Sequence, residues 1–362
     1  MGNYLLLKNT LLLLSQIHLI IYMKHSQITI KDIANALGIS ASTVSRALKD
    51  HPDISTDTKK KVQELAAKLR YRPNAIALSL RNRKSNVIGV IIPQIIHHFF
   101  SSVISGIEDV ASKAGYQVII CQSNESFQRE VNNTFALMMS QVDGVIISQT
   151  KETTEYSHFK ALEENEIPMV FFDRVCDAVK ADHVIIDDYK AAFNAVEHLI
   201  AIGRRKIIHF AGPQNLKIGI ERLKGYLGAL DKYNVPKSDS YIFECDKHED
   251  AINIVNNLIK TNNLPDAIFA VNDSTAIGAL VALKRNGIDV PDMVAIAGFT
   301  NGLISTVTDP PLTTVDQNGY LMGQRSAEIL LDRIENRFTG DYLSEVIPTE
   351  LKIRGSTIKN FF

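Results

Sequence analysis

The sequence predicts an α/β protein: a small all-α head at the N-terminus, a short hinge helix, and a two-lobed body built on doubly wound parallel sheets. Three observations carry that prediction. Between Thr29 and Leu69, apolar residues recur at helical spacing in three short segments. From Asn86 onward, Ile- and Val-rich runs alternate with amphipathic stretches, the pattern of buried parallel strands joined by helices. Charge is also unevenly divided: residues 23–84 hold 13 Lys and Arg against 5 Asp and Glu, a net of +8, while the residues beyond Lys84 carry −10 in a chain whose total is −1. A basic head on an acidic body is the electrostatic footprint of phosphate binding.

In "TIKDIANALG", Ile30, Ile33, Ala34 and Leu37 fall at i, i+3, i+4 and i+7, one face of a helix. Thr29 is placed to cap it, Asp32 sits in its first turn where a negative charge suits the dipole, and Gly38 tolerates a left-handed stop. In "ISASTVSRAL", Ser40 is the expected cap and Val44, Ala47 and Leu48 the buried stripe, which leaves Ala41, Ser42, Ser45 and Arg46 facing elsewhere. A third helix starting near Ser55 buries Val62, Leu65, Ala66 and Leu69. Three short helices with a tight turn read as a helix-turn-helix module. Hydroxyl side chains around one Arg suit work in the major groove, because Ser and Thr reach phosphates and base edges while Arg can fork onto guanine.

"YRPNAIALSLRNRKSN" follows. Pro73 ends the third helix, and Asn74 can cap a helix from Ala75 to Arg81 that includes Ala77. That helix is too short to be stable alone and too apolar for a solvated linker. Ile76 and Leu80 lie one turn apart, so a second copy could bury them, with Leu80 as a wedge for a minor-groove step.

In the body, "VIGVII", "YQVIIC", "GVIIS", "PMVFF", "HVIID", "KIIHFAG", "DAIFAV" and "VAIAG" are the expected strands. Ligands of open parallel sheets sit at the carboxyl ends of strands, so the polar and aromatic groups just beyond them are the binding candidates. They are His97, His98, Phe99 and Phe100 after the first strand, Asp173 and Arg174 after the fourth, Arg222 on the helix after "KIIHFAG", and Asn272 and Asp273 after "DAIFAV". Carboxylates, an amide, guanidiniums and nearby rings suit a sugar, whose hydroxyls need donors and acceptors and whose C–H faces stack on aromatics.

Motifs for an enzyme are lacking: there is no G-x-G-x-x-G after a strand, no Gly-Lys-Ser phosphate cradle, no G-x-S-x-G and no His-Glu-x-x-His. No catalytic residue, cofactor or metal site is expected, His97 and His98 included, since adjacent loop histidines without a further motif rarely ligate together. Cys121, Cys176 and Cys245 show no Cys-x-x-Cys pairing and read as core thiols of a reducing cytoplasm. The competing class is an exported or membrane-anchored sugar-binding protein, prompted by the apolar "YLLLKNTLLLLSQIHLIIY" within residues 1–22. Lys8, Asn9, Thr10, Ser15, Gln16 and His18 interrupt that run and no small-x-small cleavage site follows, so no membrane association is expected.

"TIKDIANALGISASTVSRAL", "YRPNAIALSL", "NDSTAIGAL" and "PPLTTVDQ", in that order, resemble the lactose/galactose-repressor family of bacterial transcription regulators, from Met23 to the C-terminus. The resemblance implies a repressor with a periplasmic-binding-protein-like body, acting as a homodimer or a tetramer of dimers. Such a protein binds double-stranded operator DNA under the control of a small carbohydrate-type effector. It implies that Ala41, Ser42 and Arg46 read bases, that Thr29, Ser40, Thr43 and Ser45 contact phosphates, and that Leu80 is the hinge wedge, with Asn74 and Ala77 beside it. It also implies that Asp173, Arg222, Asn272 and Gln317 contact the effector. Thr300, in "GFTN", stands where many members carry an acidic residue. With that acceptor gone and Arg174 and Arg222 present, a sugar acid or phosphorylated sugar is expected over a neutral sugar.

The expected boundaries are 1–22 for a non-native extension upstream of the usual start at Met23, 23–72 for the DNA-binding domain, 73–85 for hinge helix and linker, and 86–362 for the ligand-binding and dimerisation body. Within the body, lobe one takes about 86–186 and 315–346, and lobe two about 187–314 and 347–362.

Overall fold

The structure, a computed structural model, describes residues 28–71, 84–337 and 339–358. Asn74, Ala77 and Leu80 of the expected hinge helix lie outside the described residues. The described residues divide into two compact units, one before Asn86 and one from Asn86 onward.

The first unit holds α1 (Ile30–Leu37), α2 (Ala41–Leu48) and α3 (Thr56–Lys68). Thr29 and Asp32 close a reciprocal capping box on α1: the Thr29 side chain accepts from the Asp32 N–H while the Thr29 N–H donates to Asp32 Oδ2 at 2.7 Å. Gly38, at φ +65°, takes the left-handed conformation that ends α1, so the turn to α2 needs only three residues. Ser40 and Ser55 cap α2 and α3 through the N–H groups of Thr43 and Thr58. The periodic faces meet in one small core of Ile33, Ala34, Val44, Ala47, Val62 and Ala66, with Leu37, Leu48, Leu65 and Leu69 packed at its edge.

The second unit contains two six-stranded sheets. The first is ordered β2-β1-β3-β4-β5-β11, from β1 (Val87–Ile92), β2 (Gln117–Gln122), β3 (Gly144–Ile147), β4 (Met169–Phe172), β5 (Asp182–Ile186) and β11 (Ser344–Ile347), all parallel. The second repeats that order as β7-β6-β8-β9-β10-β12. Its strands are β6 (Ile207–Ala211), β7 (Ile242–Glu244), β8 (Ala267–Ala270), β9 (Ala295–Thr300), β10 (Thr313–Asp316) and β12 (Glu350–Lys352), with β12 antiparallel to β10. The eight apolar runs supply β1 to β6, β8 and β9; the interior strands β3, β4 and β8 are buried at every residue. The chain passes between lobes three times: after β5, after β10 and after β11. Because β10 still pairs with β9 as far as Asp316, the second passage falls at Gln317, slightly beyond the expected boundary at 315.

Helices α4 (His98–Lys113), α5 (Phe127–Met139), α6 (Ser157–Glu164) and α12 (Gly319–Ile334) accompany the first sheet; α7 (Asp188–Ala201), α8 (Lys217–Lys232), α9 (His248–Lys260) and α10 (Asp273–Arg285) accompany the second, and the short α11 (Ile304–Val307) precedes β10. The packing of α4 against α12 depends on glycine: a Cβ on Gly323 would lie 2.0 Å from the Val103 carbonyl oxygen. In both sheets the strand order reverses around the first strand. The carboxyl ends of β1 and β3, and of β6 and β8, are therefore topological switch points, where open sheets form crevices. Among the described residues no helix is long and apolar enough to cross a membrane, and no His/Cys/Asp/Glu group is arranged to hold a metal.

Candidate functional site

On the head, α2 buries Val44 and Ala47 and turns Ser42 and Arg46 outward, with Ala41 and Ser45 half-buried between them. The Ser40 hydroxyl lies 2.7 Å from that of Ser42 and 2.8 Å from that of Thr43, so three hydroxyls gather where α2 presents its first N–H groups. Thr29 is exposed, its hydroxyl engaged with Asp32 in the cap. Arg46 is exposed and has no ion-pair partner among the described residues, which leaves its guanidinium available to an external acceptor.

In the body, the switch point of the first sheet is occupied by Ser148 and Gln149, which follow β3 and are buried. Neither was a candidate on sequence grounds. Ser148 Oγ, Gln149 Oε1 and Arg174 Nε are buried without a hydrogen-bond partner among the described residues, a concentration of unsatisfied polar atoms that is uncommon in folded proteins. Arg174 Nη1 donates to both carboxylate oxygens of Glu125 at 2.9 Å, and the guanidinium lies 5.9 Å from the Phe100 ring centre. Burial pushes the Glu125 carboxyl up, but the Arg174 charge and the N–H of Lys151 outweigh it and hold Glu125 below the usual carboxylate range. Glu125 has φ +59° and Asp173 has φ +57°, left-handed backbone that costs a non-glycine residue about 1 to 2 kcal/mol.

Asp173, Asp188 and Arg222 form a second, buried group. Arg222 Nε donates to Asp188 Oδ1 at 2.7 Å, its Nη1 donates to the Val271 carbonyl at 2.8 Å, and its guanidinium lies over the Phe299 ring at 3.7 Å. Gln317, at the passage between lobes, reaches Asp173 Oδ1 at 3.5 Å. Burial raises the Asp173 carboxyl despite Arg174 and Arg222, and pushes Asp188 up to about 6 against the pull of Arg222. A cavity of about 250 Å³ opens beside this group, lined by Asp173, Asp187, Asp188, Lys217 and Glu221 together with Ile186, Ile218 and Val346.

Four expected effector residues make contacts within the protein. Asn272 is the N-cap of α10, its Oδ1 accepting from the Thr275 N–H at 2.8 Å while its Nδ2 donates to the Asp246 carbonyl. Asp273 staples the loop after β9: it accepts from the Gly302 N–H at 2.8 Å and from Thr314 Oγ1 at 2.5 Å, and burial pushes it up to about 6. Phe99 is a core side chain packed against Gly319 and edge-on to Phe100. His97 is exposed and bonded to Gln94. Asn272 and Asp273 are held by protein because a polar group at a strand end is also the nearest partner for the adjacent helix start or loop. Thr300 ends β9 half-buried at φ +128°, a strained conformation for a β-branched residue.

The lobes touch across the cleft. Lys151 Nζ pairs with Asp246 Oδ2 at 2.8 Å, and Asn215 Nδ2 donates to the Lys151 carbonyl at 2.6 Å. Of the candidate residues, the structure thus brings together Phe100, Asp173, Arg174, Arg222 and Gln317, and adds Glu125, Ser148, Gln149, Lys151, Asp188 and Asp246.

Comparison with known proteins agrees with both units. Residues 29–74 match the family described as bacterial regulatory proteins, lacI family, and residues 85–354 match periplasmic binding proteins and sugar binding domain of LacI family. Catabolite control protein A of Priestia megaterium is 34% identical over 332 residues, covering 91% of this chain and 99% of the relative. The HTH-type transcriptional repressor CytR of Escherichia coli (strain K12) is 33% identical, covering 91% of this chain and 96% of the relative. The Lac repressor dimer bound to operator and the anti-inducer ONPF superimposes with a TM-score of 0.81 at 25% identity, covering 92% of this chain and 100% of that one. Both units of the chain, the three-helix head and the two-sheet body, fall within these matches, and the chain belongs to the LacI family of DNA-binding bacterial transcription regulators.

Proposed function

We propose that this regulator binds a double-stranded operator as a cytoplasmic homodimer, reads bases through Ala41, Ser42 and Arg46 of each copy, and changes its operator affinity when a neutral sugar enters the cleft between its lobes. Thr29, Ser40, Thr43 and Ser45 fit phosphate contacts around that reader, and Asn74, Ala77 and Leu80 remain assigned to the hinge. The effector contacts proposed are Asp173, Arg174, Arg222 and Gln317, with Ser148 and Gln149 added. A dimer accounts for the apolar residues left on the surface, Ile119 and Ile120 on β2 and Leu303, Ile304 and Val307 around α11, and the Lac repressor match is itself a dimer.

The observation that carries the reading is the set of buried atoms at and beside the first switch point that lack a hydrogen-bond partner among the described residues, Ser148 Oγ, Gln149 Oε1 and Arg174 Nε, the last 3.9 Å from Asp173 Oδ2, which together ask for both donors and acceptors. A neutral sugar replaces the sugar acid expected from Arg174 and Arg222, because each guanidinium already has a carboxylate, Glu125 and Asp188, and Asp173 adds a further acceptor. A ligand can shift DNA affinity only through its differential affinity for the two lobe arrangements. The test is a fluorescence-anisotropy operator titration against matched neutral, uronic and phosphorylated sugars. Neutral sugars are expected to act at lower concentration than their acidic counterparts; an acid that acts at the lower concentration overturns the charge assignment.

A further inference from the structure

The loop after β3 holds an arrangement that effector binding by itself does not require. Two glutamates from outside it grip its backbone. Glu130, fully buried on α5, accepts from the Thr150 N–H at 2.6 Å and from Thr153 Oγ1 at 2.6 Å, and is bonded to His158 Nε2 at 3.0 Å. Glu125 accepts from the Lys151 N–H at 2.9 Å and from Thr150 Oγ1 at 3.1 Å. The same Glu125 carboxylate holds Arg174, and the Gln149 N–H donates to the Arg174 carbonyl at 3.2 Å. Lys151, fixed in this way, is the residue that reaches the other lobe, through its ammonium to Asp246 and through its carbonyl to Asn215. Asp246 is itself anchored, since its own carbonyl accepts from Asn272 at the start of α10.

We propose that Lys151 and Asp246 form a bolt between the lobes and that Glu125 is the positioning residue coupling this bolt to Arg174 in the cleft. The Glu125 carboxylate that accepts from the Lys151 N–H is itself fixed by Arg174, so a ligand that draws the guanidinium away frees or displaces the carboxylate and alters the support of the bolt. The coupling runs through a chain of direct contacts, Arg174 to Glu125, Glu125 to the Lys151 backbone, and Lys151 to Asp246. A two-site ion pair of this kind, half-buried on both sides, is weakly screened by solvent and is broken by removing either partner. The proposal rests on the cleft reading only for the meaning of Arg174. Its test uses no effector, so the two stand or fall separately.

The test is hydrogen exchange on the full chain, read by mass spectrometry in peptides covering 148–154 and 244–248. Lys151→Met and Asp246→Asn are each expected to speed exchange in both segments by about tenfold, one on either side of the cleft. Charge exchange in the double variant Lys151→Asp/Asp246→Lys is expected to restore protection. Arg174→Met is expected to speed exchange at 150–152, residues whose ammonium and amides it does not touch, whereas Arg174→Lys, which keeps a cation for Glu125, is expected to preserve most of the protection. Peptides from α9, within the second lobe's own core, serve as the folding control and are expected to stay unchanged. Faster exchange confined to 148–154 in the Lys151 and Asp246 variants overturns the bolt, and an Arg174→Met effect limited to 172–176 overturns the coupling through Glu125.

Discussion

Arg222 and Asp188, 34 residues apart, meet at 2.7 Å with both side chains almost fully buried, and Asp173 stands close enough to raise the Asp188 carboxyl further. The pair is a structural element of lobe two as well as a wall of the cleft. Removing only Arg222 leaves two buried carboxylates short of their cation, and breaking a buried pair from one side costs about 3 to 5 kcal/mol. Arg222→Met is therefore expected to lower the stability of the body strongly, whereas Arg222→Met combined with Asp188→Asn loses much less than the two single changes added together. Urea denaturation of the four proteins gives the coupling, expected at about 1 to 3 kcal/mol. Additive losses would show that the two groups do not depend on each other.

His209 lies fully buried in β6 between the rings of Tyr226 and Phe269, at 5.1 and 4.9 Å, with Nδ1 bonded to the Phe269 carbonyl and Nε2 without a hydrogen-bond partner among the described residues. Burial lowers its pKa from 6.5 to about 4. The unfolded chain therefore binds the proton first as pH falls, so the stability tied to neutral His209 is present above about 6.5 and is lost progressively toward 4. His209→Phe is expected to remove about 2 kcal/mol of the stability difference between pH 7 and pH 5. The raised carboxyls of Asp188 and Asp273 act in the opposite direction, but they are common to both proteins and cancel in the comparison. Parallel stability curves for wild type and variant across that range would contradict the assignment.

Arg46 is the long donor on the outer face of α2 and has no acidic partner among the described residues. Arg46→Ala is expected to cost about 1 to 3 kcal/mol of operator affinity and to relax base preference at one position of each half-site. Selection of binding sites from a random pool checks this directly. A variant that selects the same sequences as the wild type would overturn the base-reading role of Arg46.

The sequence by itself determined what short-range physics decides. Thr29, Ser40 and Ser55 cap the helices they precede because each hydroxyl needs only an N–H three residues away. Gly38 stops α1 by its own backbone freedom, and the long Ile/Val runs become strands because only a buried sheet satisfies both their side chains and their backbone. Asp173, Arg174, Arg222 and Gln317 were legible as strand-end or family-matched positions. Tertiary structure decided the rest. The three- and four-residue strands β7, β10, β11 and β12 take their conformation from the strands beside them, and their own residues carry too little pattern to announce it. Which partner a polar group at a strand end meets within the protein is settled by distance: Asn272 finds Thr275 and Asp273 finds Thr314. Glu125, Lys151 and Asp246 gave no local signal, because their partners lie 49, 95 and 95 residues away in the chain, at Arg174 for the first and at each other for the last two, and electrostatic pairing depends on separation in space rather than in sequence.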